Sequence, residues 1–173
     1  MKLTSKTFVL VPCLMLAGLV LAAQAQAATI AYPTKDSASF MIDAPDDWEL
    51  TPAEEEGDYF AVSGPTGVTL WFRTIEGSEA ALTDAIQESI TYIKENYSNV
   101  QLGDAKDSEQ KGLKGFYATG SGKDKESGDA VAFGLAWYAL KDDSIGEIWF
   151  VAEQGDTEGA ADAAKVLDSF RAP

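Results

Sequence analysis

Between Ala130 and Leu140 the odd positions carry Val131, Phe133, Leu135 and Trp137, and the even ones carry Ala132, Gly134, Ala136 and Tyr138. Such a segment reads as a strand, and here neither face bears a charge. A strand of this kind is stable in water when both its faces are covered. The chain is therefore constrained to a layered fold, with other elements packed on each side of a sheet.

The remaining segments supply those layers. Ala38 to Ile42 reads as a short strand closed by Pro45-Asp46-Asp47. Tyr59 to Ser63 and Val68 to Ile75 read as a hairpin across Gly64-Pro65-Thr66-Gly67. Ser78 is placed to cap a helix running to about Tyr97, along which Leu82, Ile86, Ile90, Ile93 and Tyr97 form one apolar stripe. Val100 to Lys106 reads as a weak strand, Leu113 to Gly120 as a better one, and Gly146 to Glu153 as a strong one. Their short polar links favour antiparallel pairing. Asp156 or Thr157 can cap a last helix, with Ala160, Ala163, Ala164, Leu167 and Phe170 on one face. The expected class is α+β: an α/β/α sandwich whose central, mostly antiparallel sheet is flanked by a long helix and a C-terminal helix.

At Phe40-Met41-Ile42-Asp43-Ala44-Pro45-Asp46-Asp47-Trp48 the chain resembles the opening strand and Pro-x-x-Trp corner of the PsbP-like superfamily. Val166-Leu167-Asp168-Ser169-Phe170-Arg171 is similar to that family's closing helix, and the order of elements between the two also matches. The family includes the extrinsic photosystem II protein, a Ran-binding nuclear-import factor and many small exported bacterial proteins. The resemblance implies the same sandwich and a non-catalytic binding or assembly role. It carries no catalytic set over to this chain.

Residues 1–27 read as a signal peptide. Lys2 and Lys6 form a positive start, Phe8 to Ala23 an apolar run, and Ala25-Gln26-Ala27 a small-x-small cleavage pattern. The apolar run is shorter than the roughly 20 residues of a spanning helix, so no stable membrane span is expected after cleavage following Ala27. The product, residues 28–173, is expected to be one domain in the periplasm or outside the cell. The sole cysteine, Cys13, leaves with the leader, and there is no histidine. His-based triads, imidazole bases and thiolate chemistry are thereby excluded from the mature chain.

Of the 13 Lys and Arg and 28 Asp and Glu in the full chain, the 27-residue leader holds two lysines and no acid. The mature 146 residues thus bear 11 basic against 28 acidic side chains, a balance opposed to nucleic-acid binding. The acids are densest from Asp46 to Asp58, comprising Asp46, Asp47, Glu49, Glu54, Glu55, Glu56 and Asp58. With Trp48 beside them, Asp46, Asp47, Glu54, Glu55, Glu56 and Asp58 are the candidate partner-binding residues, a negative rim that would steer a basic protein partner. A Ca²⁺ site is the alternative use of such carboxylates, although no EF-hand spacing is present, and a plain solvated face is the bland one.

Other motifs dissolve on inspection. Gly120-Ser121-Gly122-Lys123 lacks the upstream Gly and following Ser or Thr of a phosphate loop and reads as a turn, and Ser108-Glu109-Gln110-Lys111 reads as a solvated loop before Gly112. Trp71, Trp137 and Trp149 read first as packing residues. Trp71 and Trp149 also lie opposite the aliphatic faces of their strands, where they can line a pocket or sit under a helix. The sequence singles out no carboxylate pair for acid-base work. It leads to an exported, non-catalytic accessory with an acidic interaction surface, with a cation- or small-ligand-binding envelope protein or a carboxylate-dependent hydrolase as the alternatives. The intact mass of the protein isolated from its native cell should correspond to a chain beginning at Ala28. A product retaining Cys13, with or without lipid, would refute the leader assignment.

Overall fold

The computed structural model describes residues 27–55 and 57–173, so the expected leader up to Gln26 and Glu56 of the acidic stretch lie outside the described residues. The strands are β1 (Ala27–Tyr32), β2 (Phe40–Pro45), β3 (Glu49–Thr51), β4 (Phe60–Ser63), β5 (Thr69–Glu76), β6 (Tyr97–Leu102), β7 (Lys106–Gln110), β8 (Leu113–Asp124), β9 (Ala130–Ala139) and β10 (Ser144–Glu153). The helices are α1 (Glu79–Asn96) and α2 (Thr157–Ser169). β1 and β2 form a two-stranded antiparallel ribbon. The main sheet is antiparallel in the order β3-β4-β5-β10-β9-β8-β6, with β7 also paired to β8.

The uncharged strand β9 lies inside this sheet and is covered on both faces. Its odd residues join Trp149, Ile93 and Tyr97 in a core beneath α1, with Trp71, Leu82 and Ile86 packed against it. On the opposite face, Tyr138 joins Phe72, Leu70, Ile148 and Val62 in a core closed by Ala163, Val166 and Phe170 at α2 and by Phe40, Ile42 and Ala44 of β2. Phe40 and Phe170 are fully buried, with ring centroids 4.9 Å apart. The structure is the expected α/β/α sandwich, in which the β1–β2 ribbon shares one layer with α2.

Both helix starts form as the sequence predicts. Ser78 Oγ accepts from the Ala81 amide at 3.2 Å, and Asp156 Oδ1 accepts from the Gly159 amide at 2.8 Å. β4 and β5 form the expected hairpin, with Ser63 opposite Thr69. Three details differ. The segment expected as one strand from Val100 to Lys106 is two strands, β6 and β7. They lie end to end on β8 because β8 runs twelve residues rather than stopping at Gly120. β1 and β3 were not expected: β3 is three exposed residues with no burial pattern to reveal it, and β1 spans the expected cleavage point. Finally, the buried line of α1 is Ala85, Ser89 and Ile93, rotated from the expected stripe, so that Ile90 is half-buried.

The C-terminal end is latched to β2. Arg171 exchanges backbone hydrogen bonds with Met41, and its guanidinium forks onto Asp43, with Nη1 to Oδ2 at 2.8 Å and Nη2 to Oδ1 at 2.9 Å. The Asp43 amide also donates to Ser169 Oγ at 2.7 Å. The Arg171 hydrogen bonds hold the Asp43 carboxyl below its ordinary value of 3.8, against the opposing effect of burial. The folded pKa is lower than the unfolded one, so the carboxylate contributes stability above the unfolded value and loses that contribution as the pH falls through the folded value. Asp43→Asn should therefore cost about 1 kcal/mol at neutral pH, a modest figure because both groups are partly solvated. In urea titrations the gap from wild type should close as the pH drops below 3.8; a gap that persists in acid would assign it to something other than this ion pair.

Candidate functional site

Two rows of side chains cross the sheet under α1. In the first, Trp71 of β5 stands directly opposite Trp149 of β10. In the second, two residues along, Arg73 is opposite Glu147, and Tyr59 lies beyond Arg73 with its ring centroid 4.4 Å from the guanidinium carbon. Alternation at period two puts both rows on the same face. Ala61, paired with Trp71 across β4, is small, so the Trp row is not closed off on that side.

Glu147 is completely buried, a position a carboxylate tolerates when it is paired. Its partners come from both layers. Arg73 Nε donates to Oε2 at 2.6 Å from within the sheet, and Ser89 Oγ donates to Oε1 at 3.2 Å from α1. Arg73 Nη2 reaches out to Glu88 Oε2 at 3.0 Å. Ser89 thus occupies the buried line of α1 because the carboxylate beneath it requires a donor. Where the helix crosses these polar groups it leaves a cavity of about 350 Å³ lined by Tyr59, Trp71, Arg73, Glu88, Ser89, Tyr92 and Trp149. Tyr92 stands at its mouth, half exposed, and meets Trp149 edge-on with centroids 5.5 Å apart and planes at 88°. Trp149 is backed by Phe133, stacked at 6.0 Å.

Two groups of the lining are held in one protonation state. Burial, and then the charge of Glu147, push the Tyr59 hydroxyl far above its ordinary value of 10.0, so it stays protonated. Burial opposes the Arg73 charge, but Tyr59 and the hydrogen bonds to Glu147 and Glu88 outweigh it and raise its pKa further. Both groups are thus moved away from neutral pH, where a general acid or base works best. Ser89 donates its hydroxyl to the carboxylate that Arg73 also holds. Among the described residues no cluster of three or more Asp, Glu, Cys or His side chains is arranged to hold a metal ion.

The residues singled out by the acidic stretch lie elsewhere. Asp46 and Asp47 are exposed in the β2–β3 turn, and Glu54, Glu55 and Asp58 are exposed before β4. Glu55 and Asp58 are brought together, the Glu55 amide donating to Asp58 Oδ2 at 3.2 Å. Glu54 and Glu55 edge a groove of about 600 Å³ that also takes in Leu50, Pro52, Tyr32 and Phe60. Trp48 is half-buried and packs on the α2-side core, its ring so close to Gly64 that a Cβ there would lie 2.9 Å away. Leu50, 49% exposed, is the large apolar side chain this edge presents. Sequence reasoning read Trp71 and Trp149 first as packing residues with a pocket as the alternative, and both line the cavity. It missed Tyr59, Arg73, Glu88, Ser89, Tyr92 and Glu147, although an isolated charge two residues from the Trp of each strand was a usable signal.

No protein-family model matches this sequence, and no curated protein matches it at a significant level. Solved structures do share the fold. LpqN of Mycobacterium tuberculosis, described as involved in cell envelope biogenesis, is 18% identical with a TM-score of 0.55 over 86% of this chain and 91% of its own. The Ran-binding protein Mog1p of Saccharomyces cerevisiae is 11% identical, TM-score 0.55, over 86% and 96%. CyanoP, the PsbP of Synechocystis, is 14% identical, TM-score 0.54, over 91% and 99%. The chain spans about half the length of a further similar structure, from Bacteroides thetaiotaomicron. These likenesses show a shared fold, and it is the fold that the sequence resemblance implied.

The Arg73–Glu147 pair carries an asymmetric prediction. Arg73→Met strands a carboxylate with no solvent access and should cost about 3 kcal/mol or more, whereas Glu88→Ala removes a partner that is 66% exposed and should cost under about 1 kcal/mol. Adding Glu147→Leu to Arg73→Met should recover much of the loss in denaturant titrations. Equal and small effects of the two single substitutions would mean that water reaches Glu147.

Proposed function

We propose that this protein is an exported, non-catalytic binding accessory of the cell envelope, and that it takes its ligand or a protruding group of its partner into the cavity beneath α1. The observation that carries this reading is the lining itself: four aromatic residues around an open cavity whose charged groups are engaged with one another. The reading is supported by the fold neighbours, since LpqN is described by its place in envelope biogenesis and Mog1p as a Ran-binding protein, neither by a reaction. The leader read from the sequence agrees with an envelope location, and no helix among the described residues is long and apolar enough to cross a membrane.

A second surface belongs to the same proposal. The groove edged by Glu54 and Glu55, with exposed Leu50 within it, suits an approach by a basic protein, and Asp46, Asp47, Glu56 and Asp58 extend the negative field that would steer it. Trp48 would support this rim from below, given its packing on the core.

A photo-crosslinking residue at position 92, at the mouth of the cavity, compared with one at exposed position 109, tests the main reading in the native envelope fraction. Discrete adducts should form from position 92, and Trp71→Glu, which puts a charge into the cavity, should abolish them. Identical adduct patterns from the two positions would count against a cavity-directed function.

A further inference from the structure

We propose that the cavity beneath α1 is a receptor for a small organic ammonium ion, whose positively charged head is enclosed by Tyr59, Trp71, Tyr92 and Trp149. The inference rests on reading this cavity as the binding site and adds the chemical class of its occupant.

The charges around the cavity decide the sign. One guanidinium, Arg73, faces two carboxylates, Glu147 at 2.6 Å and Glu88 at 3.0 Å. Within the lining Arg73 and Glu88 balance, and the buried Glu147 beneath them leaves the three-residue network formally one negative charge in excess, with Glu88 66% exposed at the mouth. Asp84 and Glu95 continue the acidic surface along α1, bordering a shallow depression that adjoins the cavity through Glu88 and Tyr92. No lysine lines either the cavity or this depression. The whole chain, at a formal charge of −15, reinforces the field.

The aromatic lining decides the kind of cation. Aromatic rings attract a positive charge through their quadrupole, most strongly when water is excluded, and they do so for alkylated ammonium groups that cannot be satisfied by hydrogen bonds. A bare metal ion would need several converging oxygen ligands, and the carboxylates here are already spent on Arg73. An anion would meet Glu88 at the mouth, and would find Nε and Nη2 of Arg73 already donated to Glu147 and Glu88. A sugar would find aromatic platforms, but few polar groups left over to read its hydroxyls. One ring of the lining already holds a cation from within the protein, the Arg73 guanidinium carbon lying 4.4 Å from the Tyr59 ring centroid.

The shared chemistry is the ammonium head, whether on a free solute or on a lipid. Titration of the purified mature protein with choline, followed by tryptophan emission and calorimetry, should give saturable binding. The uncharged isostere of choline, with tert-butyl in place of trimethylammonium, should bind about tenfold more weakly. Glu88→Gln and Tyr92→Ala change exposed side chains and should leave the fold intact by circular dichroism, yet each should weaken choline binding severalfold. Flotation with phosphatidylcholine vesicles but not phosphatidylglycerol vesicles would identify the head as a lipid's, and choline binding without flotation would identify a free solute; either supports the proposal. Equal affinity for choline and its isostere would overturn the cation inference while leaving the cavity as a binding site. Preference for glucose or acetate over choline would likewise overturn it. Failure of choline, the isostere, glucose and acetate alike would also overturn it and would count against the cavity reading itself.

Discussion

The ion pair between Arg73 and Glu147 is the contact on which the geometry of the α1 side depends. A carboxylate with no solvent access must find its donors inside the protein, and these come from two elements, β5 and α1. Slipping β10 by one residue against β5 would turn Glu147 to the opposite face and strand it in the apolar core under α2. The pair therefore specifies register as well as stability. The hydroxyl of Ser89 then specifies how α1 rotates, since the helix must present a donor where its stripe would otherwise present an isoleucine.

That rotation explains both what the sequence disclosed and what it withheld. The layered fold was legible because β9 has no charged face and because the caps Ser78 and Asp156 precede clean helical periods. The helix stripe was legible as a period but not as a phase: Leu82, Ile86 and Ile90 define an apolar arc, and the choice of its centre was made by a carboxylate on a strand more than fifty residues away. The cavity was half legible. Trp71-x-Arg73 and Glu147-x-Trp149 are mirror patterns, and antiparallel pairing superposes Trp on Trp and Arg on Glu, but only register knowledge turns two lone charges into one site. Density of acids drew attention to Asp46 to Asp58, whereas the better-built chemistry lay where single charges interrupt apolar strands.

Local pattern left the packing of Trp48 open. A tryptophan after a turn and among acids looks available, yet the turn itself brings it back over the sheet beneath Gly64, where a larger residue could not sit. The acids stay outside, and the half-buried ring packs on the core. At the cavity, by contrast, residues distant in the chain, Tyr59, Glu88 and Trp149, converge on one volume.

The division of labour along β8 has a different consequence. Antiparallel sheets invite growth wherever an outer strand leaves a long row of amide and carbonyl groups unpaired. Here one margin of the sheet is β3, three residues long, and the other is shared between β6, interrupted by an irregularity between Ser98 and Gln101, and β7, five residues long. Neither margin offers an incoming strand a continuous template. A protein that must stay separate in a crowded compartment would gain from such broken margins, because its chains would resist stacking into fibrils even where their charges are screened by salt.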